Sequence, residues 1–438
     1  MKMNAKIQTL IKKRHSLIPG AAHTYSKGDD QFPSNAPPAI LRGKGCYVWG
    51  SDGKKYLDWC MSLWMMGLGH VNNEVNAAVK KQIDVGTNFQ RPHPTEFLLA
   101  EKLIKLLPGV EMVKFAKAGS AVTTAAVKLA RAYTGRKYVA ICAEHSFFSY
   151  DDWFIGSTVA DAGIPEEIKE LTKKFHYNDL ESVEELFKKY PNQIACIIME
   201  AVTTDEPKPG FLKGVEKLCK KYGAVFILDE MITGFRFDLR GAAKMYGLKP
   251  DLLTYGKCIA NGYSLAVLGG KKEIMELGGI KHKKPKVFLL SSTHGAEATA
   301  LVAAMKTLEI MERDKVQEGF WKKGKKIRAG LESLIQKHGL EKYISVIGFD
   351  ANLFTVYRDK KGDVSPLMRT IMLQEMTKRG MLFRGYFALS ASHGDKEIAQ
   401  TMRAFDESLG VYKQALESTN PTRFLKGDVC KGVFRKYN

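Results

Sequence analysis

VKFAKAGSAVTTAAVKLARAYTGRKYVAICA, residues 113–143, reads as a strand, a tight turn, a helix and the next strand. VKFAKA is short and alternates, Gly119-Ser120 breaks it, and VTTAAVKLARAYTG places small and apolar residues at helical spacing before the strand KYVAICA. The same rhythm continues downstream: helix DLESVEELFKKY (179–190), strand IACIIMEAV (194–202), helix GVEKLCKKYG (214–223), strand AVFILDE (224–230), helix GAAKMYG (241–247) and short strand DLLTYGK (251–257). Strands this apolar must be covered on both faces. The expected fold is therefore α/β, a mostly parallel central sheet with helices on both sides.

Outside this region the rhythm fails. Residues 36–59 alternate apolar and polar around the turn Ser51-Asp52-Gly53, a hairpin pattern, and helices are expected from Asn73 to about Val85 and over TEFLLAEKLIKLL (95–107). From about Lys315 come long charged helices, the short strands of YISVIGFDANLFTVY (343–357) and a last helix at 395–409. The expected division is an N-terminal segment, 1–92, packing with a smaller α+β domain, 315–438, and a large domain, 93–314, between them. Lys286–Leu290 also reads as a strand-like run.

The chain has 438 residues, 45% hydrophobic and 26% charged, which excludes a disordered or low-complexity protein. Sixty-seven basic residues against 47 acidic give a net charge of +20. The lysines are spread over amphipathic helices, and no helix-turn-helix, zinc-finger or RNP-type pattern accompanies them, so no specific nucleic-acid partner is expected. The charge favours anionic ligands and says nothing of fold. Seven cysteines without a CxxC pair exclude a zinc ribbon and read as buried thiols of a reducing, cytoplasmic compartment; no metal site is expected. The N-terminus lacks the apolar core of a secretory signal, and no window approaches a membrane span.

There is no GxxxxGK[ST] loop, no GxGxxG after a strand, no HExxH and no GxSxG. What remains is a set of polar residues at strand ends, where ligands of open α/β sheets sit. Glu200, Asp229 and Lys257 end three strands, Gly119-Ser120 joins a strand to a helix, and His145 follows Tyr138–Ile141. Singly, Asp229 reads as a helix cap, Lys257 as a surface lysine and His145 as a core histidine. Together, a strand-end carboxylate with a strand-end lysine 28 positions later suits pyridoxal phosphate. That cofactor needs an amine for its aldehyde, a carboxylate for its ring nitrogen, helix N-terminal N–H groups for its phosphate and flat neighbours for its ring.

Asp229–Phe235 (DEMITGF) with Arg236, then Tyr246–Lys257 (YGLKPDLLTYGK), resembles the cofactor-lysine region of class III aminotransferases, within them most the glutamate-1-semialdehyde aminomutases. Lys128–Arg136 (KLARAYTGR), Lys44–Trp59, Leu68-Gly69-His70 and Ser292-Thr293-His294-Gly295 extend the likeness over roughly residues 15–405. The resemblance implies an aspartate-aminotransferase-like fold and pyridoxal phosphate, cycling through pyridoxamine phosphate. Lys257 would carry the cofactor and shuttle protons, and Asp229 would pair with the ring nitrogen. Met231 and His145 would flank the ring, and Gly119, Ser120 and Ala121 would bind the phosphate. Glu200 matches the family's glutamate after the preceding strand. Thr293 matches a threonine that reaches the phosphate of the other subunit, which implies a homodimer with composite sites.

The departures concentrate in loops. The phosphate turn is Ala118-Gly119-Ser120-Ala121-Val122 without the family's threonine-glutamate pair. Ala201-Val202-Thr203-Thr204 replaces a proline and glycine-asparagine turn, and Cys258–Tyr263 replaces a glycine-rich stretch of the aminomutases. The expected activity is therefore transamination from an amino-acid donor to an aldehyde or ketone acceptor, an anionic (phosphorylated or nucleotide-linked) sugar among the acceptors, with 2,1-aminomutase as the alternative. Arg91, Arg236 and Arg384 are candidates for a substrate anion, and loops 20–35 and 144–155 for the entrance.

Overall fold

A computed structural model describes residues 5–145 and 147–437. Residues 1–4 of the N-terminal segment and Ser146 of the expected entrance loop lie outside them. The chain divides into two compact units, one holding residues 73–317 and the other the residues up to 72 together with 318–435. The sequence reading put the first boundary at 92/93; it falls twenty residues earlier because helix Asn73–Val85 packs on helix Ala298–Arg313 of the large unit.

The large unit is built on seven strands: β1 (Met112–Ala116), β2 (Tyr138–Cys142), β3 (Thr172–Phe175), β4 (Ile194–Glu200), β5 (Val225–Asp229), β6 (Leu252–Tyr255) and β7 (Ala266–Gly270). Their order across the sheet is β1-β7-β6-β5-β4-β2-β3. All pairings are parallel except those of β7, which runs antiparallel to both neighbours. Every residue of β4, β5, β6 and β7 is buried, as expected of strands covered on both faces. β3 and β7 have no counterpart in the sequence reading. Conversely, Lys286–Leu290 forms no strand: Val287 and Leu289 are buried, but the segment pairs with no strand among the described residues and Val287 N–H donates to Leu277 C=O instead.

The other unit joins the two chain ends. Ile40–Lys44, Tyr47–Gly50 and Lys55–Asp58 form an antiparallel meander, and Met381–Leu382 adds to Lys55–Asp58 in parallel. A second sheet pairs Ile344–Phe349, Asn352–Tyr357 and Tyr386–Phe387. Helices Pro366–Lys378 and Asp395–Glu417 pack on each other. Among the described residues no helix is long and apolar enough to cross a membrane.

Candidate active site

Strand register assembles the centre. Glu200 pairs with Asp229 across β4 and β5, and Asp229 with Thr254 across β5 and β6, so three polar side chains form a row at the carboxyl edge of the sheet. Asp229 Oδ1 accepts hydrogen bonds from the Met231 backbone N–H at 2.8 Å and from the Thr254 hydroxyl at 3.1 Å. Burial lifts the Asp229 carboxyl above its ordinary range, and these two donors together with Lys257 pull it back. Glu200, also buried, is lifted by desolvation and by the charge of Asp229, against the pull of Lys257.

Lys257 lies two residues beyond β6 and opens a one-turn 3-10 segment, Lys257–Ala260. Its φ is +43°, in the left-handed region, a strain of about 1–3 kcal/mol for a side-chain-bearing residue. The buried Cys258, Ile259 and Ala260 hold the turn in place. The stem of Lys257 keeps some surface, while its ammonium lies deep among protein atoms. Desolvation lowers its pKa, and Glu200 and Asp229 oppose that shift.

The helix Gly119–Thr134 begins at the turn itself, with Ala118 extended before it and no side chain capping its first N–H groups. Ser120 is buried, and its Oγ accepts the Tyr150 N–H at 3.1 Å. A Cβ on Gly119 would come 3.0 Å from Met231 Sδ, and one on Gly256 would come 2.7 Å from it. Met231 is thus lodged between the helix start and the residue preceding Lys257, and two glycines make the room. His145 Nδ1 accepts the Glu200 backbone N–H at 3.3 Å, and Nε2 is buried with no partner among the described residues. Burial takes the imidazole down to about 4, so the ring is neutral near pH 7 with its proton on Nε2. Phe148 and Tyr177 hold it from the side, each with its ring centre 5.7 Å away.

Glu200, Asp229 and Lys257 are thus tied by mutual charge effects, His145 by its bond to Glu200, and Gly119 by its contact with Met231. Thr293 stands apart: it is exposed, and its backbone C=O accepts from Asn88 Nδ2 at 3.1 Å. Of the arginines, Arg91 is exposed on a loop. Arg236 is no substrate residue. It is fully buried and donates to Cys258 Sγ at 3.2 Å, bracing the turn of Lys257.

Two participants were missed. Thr254 was read only as part of a strand; its bond to Asp229 depends on register. Glu230 is fully buried and accepts from the N–H groups of Ala242 at 2.9 Å and Ala243 at 2.7 Å, and from the Thr233 hydroxyl. A second acid directly after a strand-end aspartate was the available signal. These residues fit pyridoxal phosphate. There is a buried carboxylate, a nearby amine of lowered pKa and an uncapped helix start of small residues. There is also an unpartnered ring N–H on His145.

The family model for aminotransferase class III matches residues 30–387. The chain is 31% identical over 421 residues to the 3-aminobutyryl-CoA aminotransferase of Cloacimonas acidaminovorans, covering 94% of this chain and 98% of that one. It is 32% identical over 408 residues to the glutamate-1-semialdehyde 2,1-aminomutase of Persephonella marina, covering 87% and 92%. The PLP internal aldimine form of the FumI protein of Sphingopyxis superposes with a TM-score of 0.87 at 25% identity, over 97% of this chain and 100% of that one.

Proposed function

The chain belongs to the class III aminotransferases, which depend on pyridoxal phosphate, and from that premise we propose that it moves an amino group from an amino-acid donor to an aldehyde or ketone acceptor in two half-reactions at one site. When bound, pyridoxal phosphate supplies an aldehyde that takes up the donor amine and a ring that draws electron density from the carbon losing its proton. Asp229 holds the ring nitrogen protonated. The N–H groups of Gly119, Ser120 and Ala121, with the Ser120 hydroxyl, hold the phosphate. Met231 and His145 flank the ring, and the neutral His145 keeps an Nε2–H to donate. Lys257 Nζ holds the cofactor and then takes the proton from the donor α-carbon, a task that its lowered pKa favours. Glu200, in register with Asp229, is kept protonated by burial and by the charge of that carboxylate.

The observation that carries this reading is the row of Glu200, Asp229 and Thr254 with Lys257 at the next strand end, electrostatically linked to both acids. Loss of the visible absorbance of the loaded protein on adding an amino-acid donor, and its return with a carbonyl acceptor, tests it. The similarity to a 3-aminobutyryl-CoA aminotransferase puts acyl-thioester amines into that donor screen. An anionic acceptor agrees with the net charge of +20; no observation favours a sugar among such acceptors.

The second reading is the 2,1-aminomutase, favoured by the similarity to one. The buried turn Cys258–Ala260 in place of a glycine-rich stretch speaks for transamination. Steady consumption of an external donor separates the two. We further infer a homodimer in which Thr293 reaches the partner's phosphate site. Supporting this, Thr293 is exposed, and Ile280 and Phe288 of the same stretch stand 83% and 70% exposed. Seven free, buried cysteines support a cytoplasmic location.

A further inference from the structure

Thr123 and Thr124 stand side by side inside the helix Gly119–Thr134, where β-branched residues are poor helix formers. Both hydroxyls reach instead to the segment that follows β2. Thr123 Oγ1 donates to the Phe148 carbonyl at 2.8 Å. Thr124 Oγ1 donates to Asp151 Oδ2 and accepts from Trp153 Nε1 at 2.8 Å. Ser149 Oγ, fully buried, accepts the Asp151 N–H at 3.1 Å and donates to the same carboxylate oxygen at 3.2 Å. Residues 148–153 are therefore stitched over the first two turns of the helix.

Asp151 is the centre of this stitching. It precedes the short helix Asp152–Ile155, and an aspartate in that place ordinarily caps the helix that it opens. Its side chain makes no capping bond. It turns back to the longer helix, where one oxygen gathers the hydroxyls of Thr124 and Ser149.

The stitching ends at Ser120. The Tyr150 N–H donates to Ser120 Oγ at 3.1 Å. A hydroxyl has one proton and two lone pairs, so this bond fills a lone pair and leaves the proton uncommitted. Among the described residues Ser120 Oγ donates to no group. Its O–H is thus available at the helix start, beside backbone N–H groups that no side chain caps. Were residues 148–153 loose, nothing would fix the orientation of that hydroxyl.

We propose that Asp151 is a positioning residue for the cofactor phosphate: by holding residues 148–153 on the helix through Thr124 and Ser149, it keeps the Tyr150 N–H on Ser120 Oγ and so presets the Ser120 O–H as a phosphate donor. The proposal rests on the cofactor site described above and adds a residue that touches neither cofactor nor substrate. Asp151 acts on the phosphate end alone, since Lys257, which takes the aldehyde, lies on a different strand end.

Uptake of pyridoxal phosphate and of pyridoxal by the cofactor-free, full-length protein, followed by visible absorbance, tests it. Pyridoxal keeps the aldehyde and the ring and lacks the phosphate. Asp151→Ala should weaken pyridoxal phosphate about 10-fold, the scale of one charge-assisted hydrogen bond, and leave pyridoxal within about 3-fold of wild type. A merely structural loss would weaken both alike. In a Ser120→Ala background the Asp151→Ala change should cost little more, because the two residues act through one hydroxyl. If Asp151→Ala does not fold, Thr124→Val, which removes the hydroxyl that Asp151 holds, carries the same comparison. Equal loss for both compounds, no loss for either, or additive losses in the double variant overturns the proposal and leaves the cofactor site standing. A wild type that takes up neither compound overturns the cofactor site, and the proposal with it.

Discussion

Glu200 and Asp229 sit side by side in register at the carboxyl ends of adjacent parallel strands, both buried, so the charge of Asp229 falls on Glu200. Lys257 is a nearby cation that acts on both. The cluster is cheapest when it does not carry two full negative charges.

The pH dependence of stability follows. Burial and Asp229 raise Glu200 from its ordinary value to about 8, so the folded chain binds a proton there that the unfolded chain has released. Stability from this group is full at low pH and is lost as pH rises through the raised value. Cofactor-free protein should therefore lose melting temperature between about pH 5 and 8, and Glu200→Gln should flatten that slope. Asp229 and Glu230, also raised, leave part of the slope in place. Equal slopes for the two proteins would show that Glu200 ionises normally.

Glu230 is a structural carboxylate. It accepts the first N–H groups of the Ala242–Met245 turn, and Gly241 at φ +80° lets the chain pass it, since a Cβ there would lie 2.6 Å from the carboxylate. Glu230→Ala strands those donors in a dry site at roughly 1–3 kcal/mol each, so a loss of about 3–5 kcal/mol in denaturant unfolding is expected. A loss under about 1 kcal/mol would mean that water replaces the carboxylate.

Lys257 should be the attachment point of the cofactor. Borohydride treatment of the loaded protein should fix the cofactor on the peptide containing Lys257, and Lys257→Ala should lower turnover by at least about 10²–10⁴-fold. A reduced adduct on another lysine rejects the assignment.

Thr293 tests the composite site. A heterodimer of one Lys257→Ala chain and one Thr293→Ala chain should hold one site with both defects and one with neither. Activity should reappear on mixing two inactive or weakened variants. A fully active monomer at assay concentration would contradict it.

Much of the large unit was legible because each βα unit is local: an apolar run, a break and a 3.6-residue pattern predict themselves. Strand order is not local. β7 (Ala266–Gly270) enters antiparallel between β1 and β6, and nothing in AVLGG marks that pairing. Lys286–Leu290 carries a strand-like pattern, but a strand needs a neighbouring strand to pair with, and among the described residues it has none, only the single bond to Leu277. Asp229 and Lys257 stood out because a charge ending a buried strand is rare. Thr254 did not, since its meeting with Asp229 is a matter of register. Arg236 misled because sequence does not distinguish a guanidinium facing solvent from one bonded to a buried thiol.

Asp229 separates catalysis from binding. Its Oδ1 is held by the Met231 N–H and the Thr254 hydroxyl, so the carboxylate is oriented before any ligand arrives. A carboxylate beside the ring nitrogen favours the protonated ring, because a nearby negative charge raises the pKa of a cation. A protonated ring is the stronger sink for the charge left when Lys257 removes the donor's α-proton. Asp229→Asn keeps the size of the side chain and an oxygen for the Met231 and Thr254 donors, and it removes the charge. The cofactor should still load through Lys257 and the Gly119 turn. The half-reaction with any donor that converts the wild type should slow by at least about 10²–10⁴-fold, the range typical of lost acid–base support. Single-turnover absorbance measurements on the fully loaded variant give the answer. A rate close to wild type would reduce Asp229 to a strand-end cap and would remove the ring-nitrogen role from the proposed site.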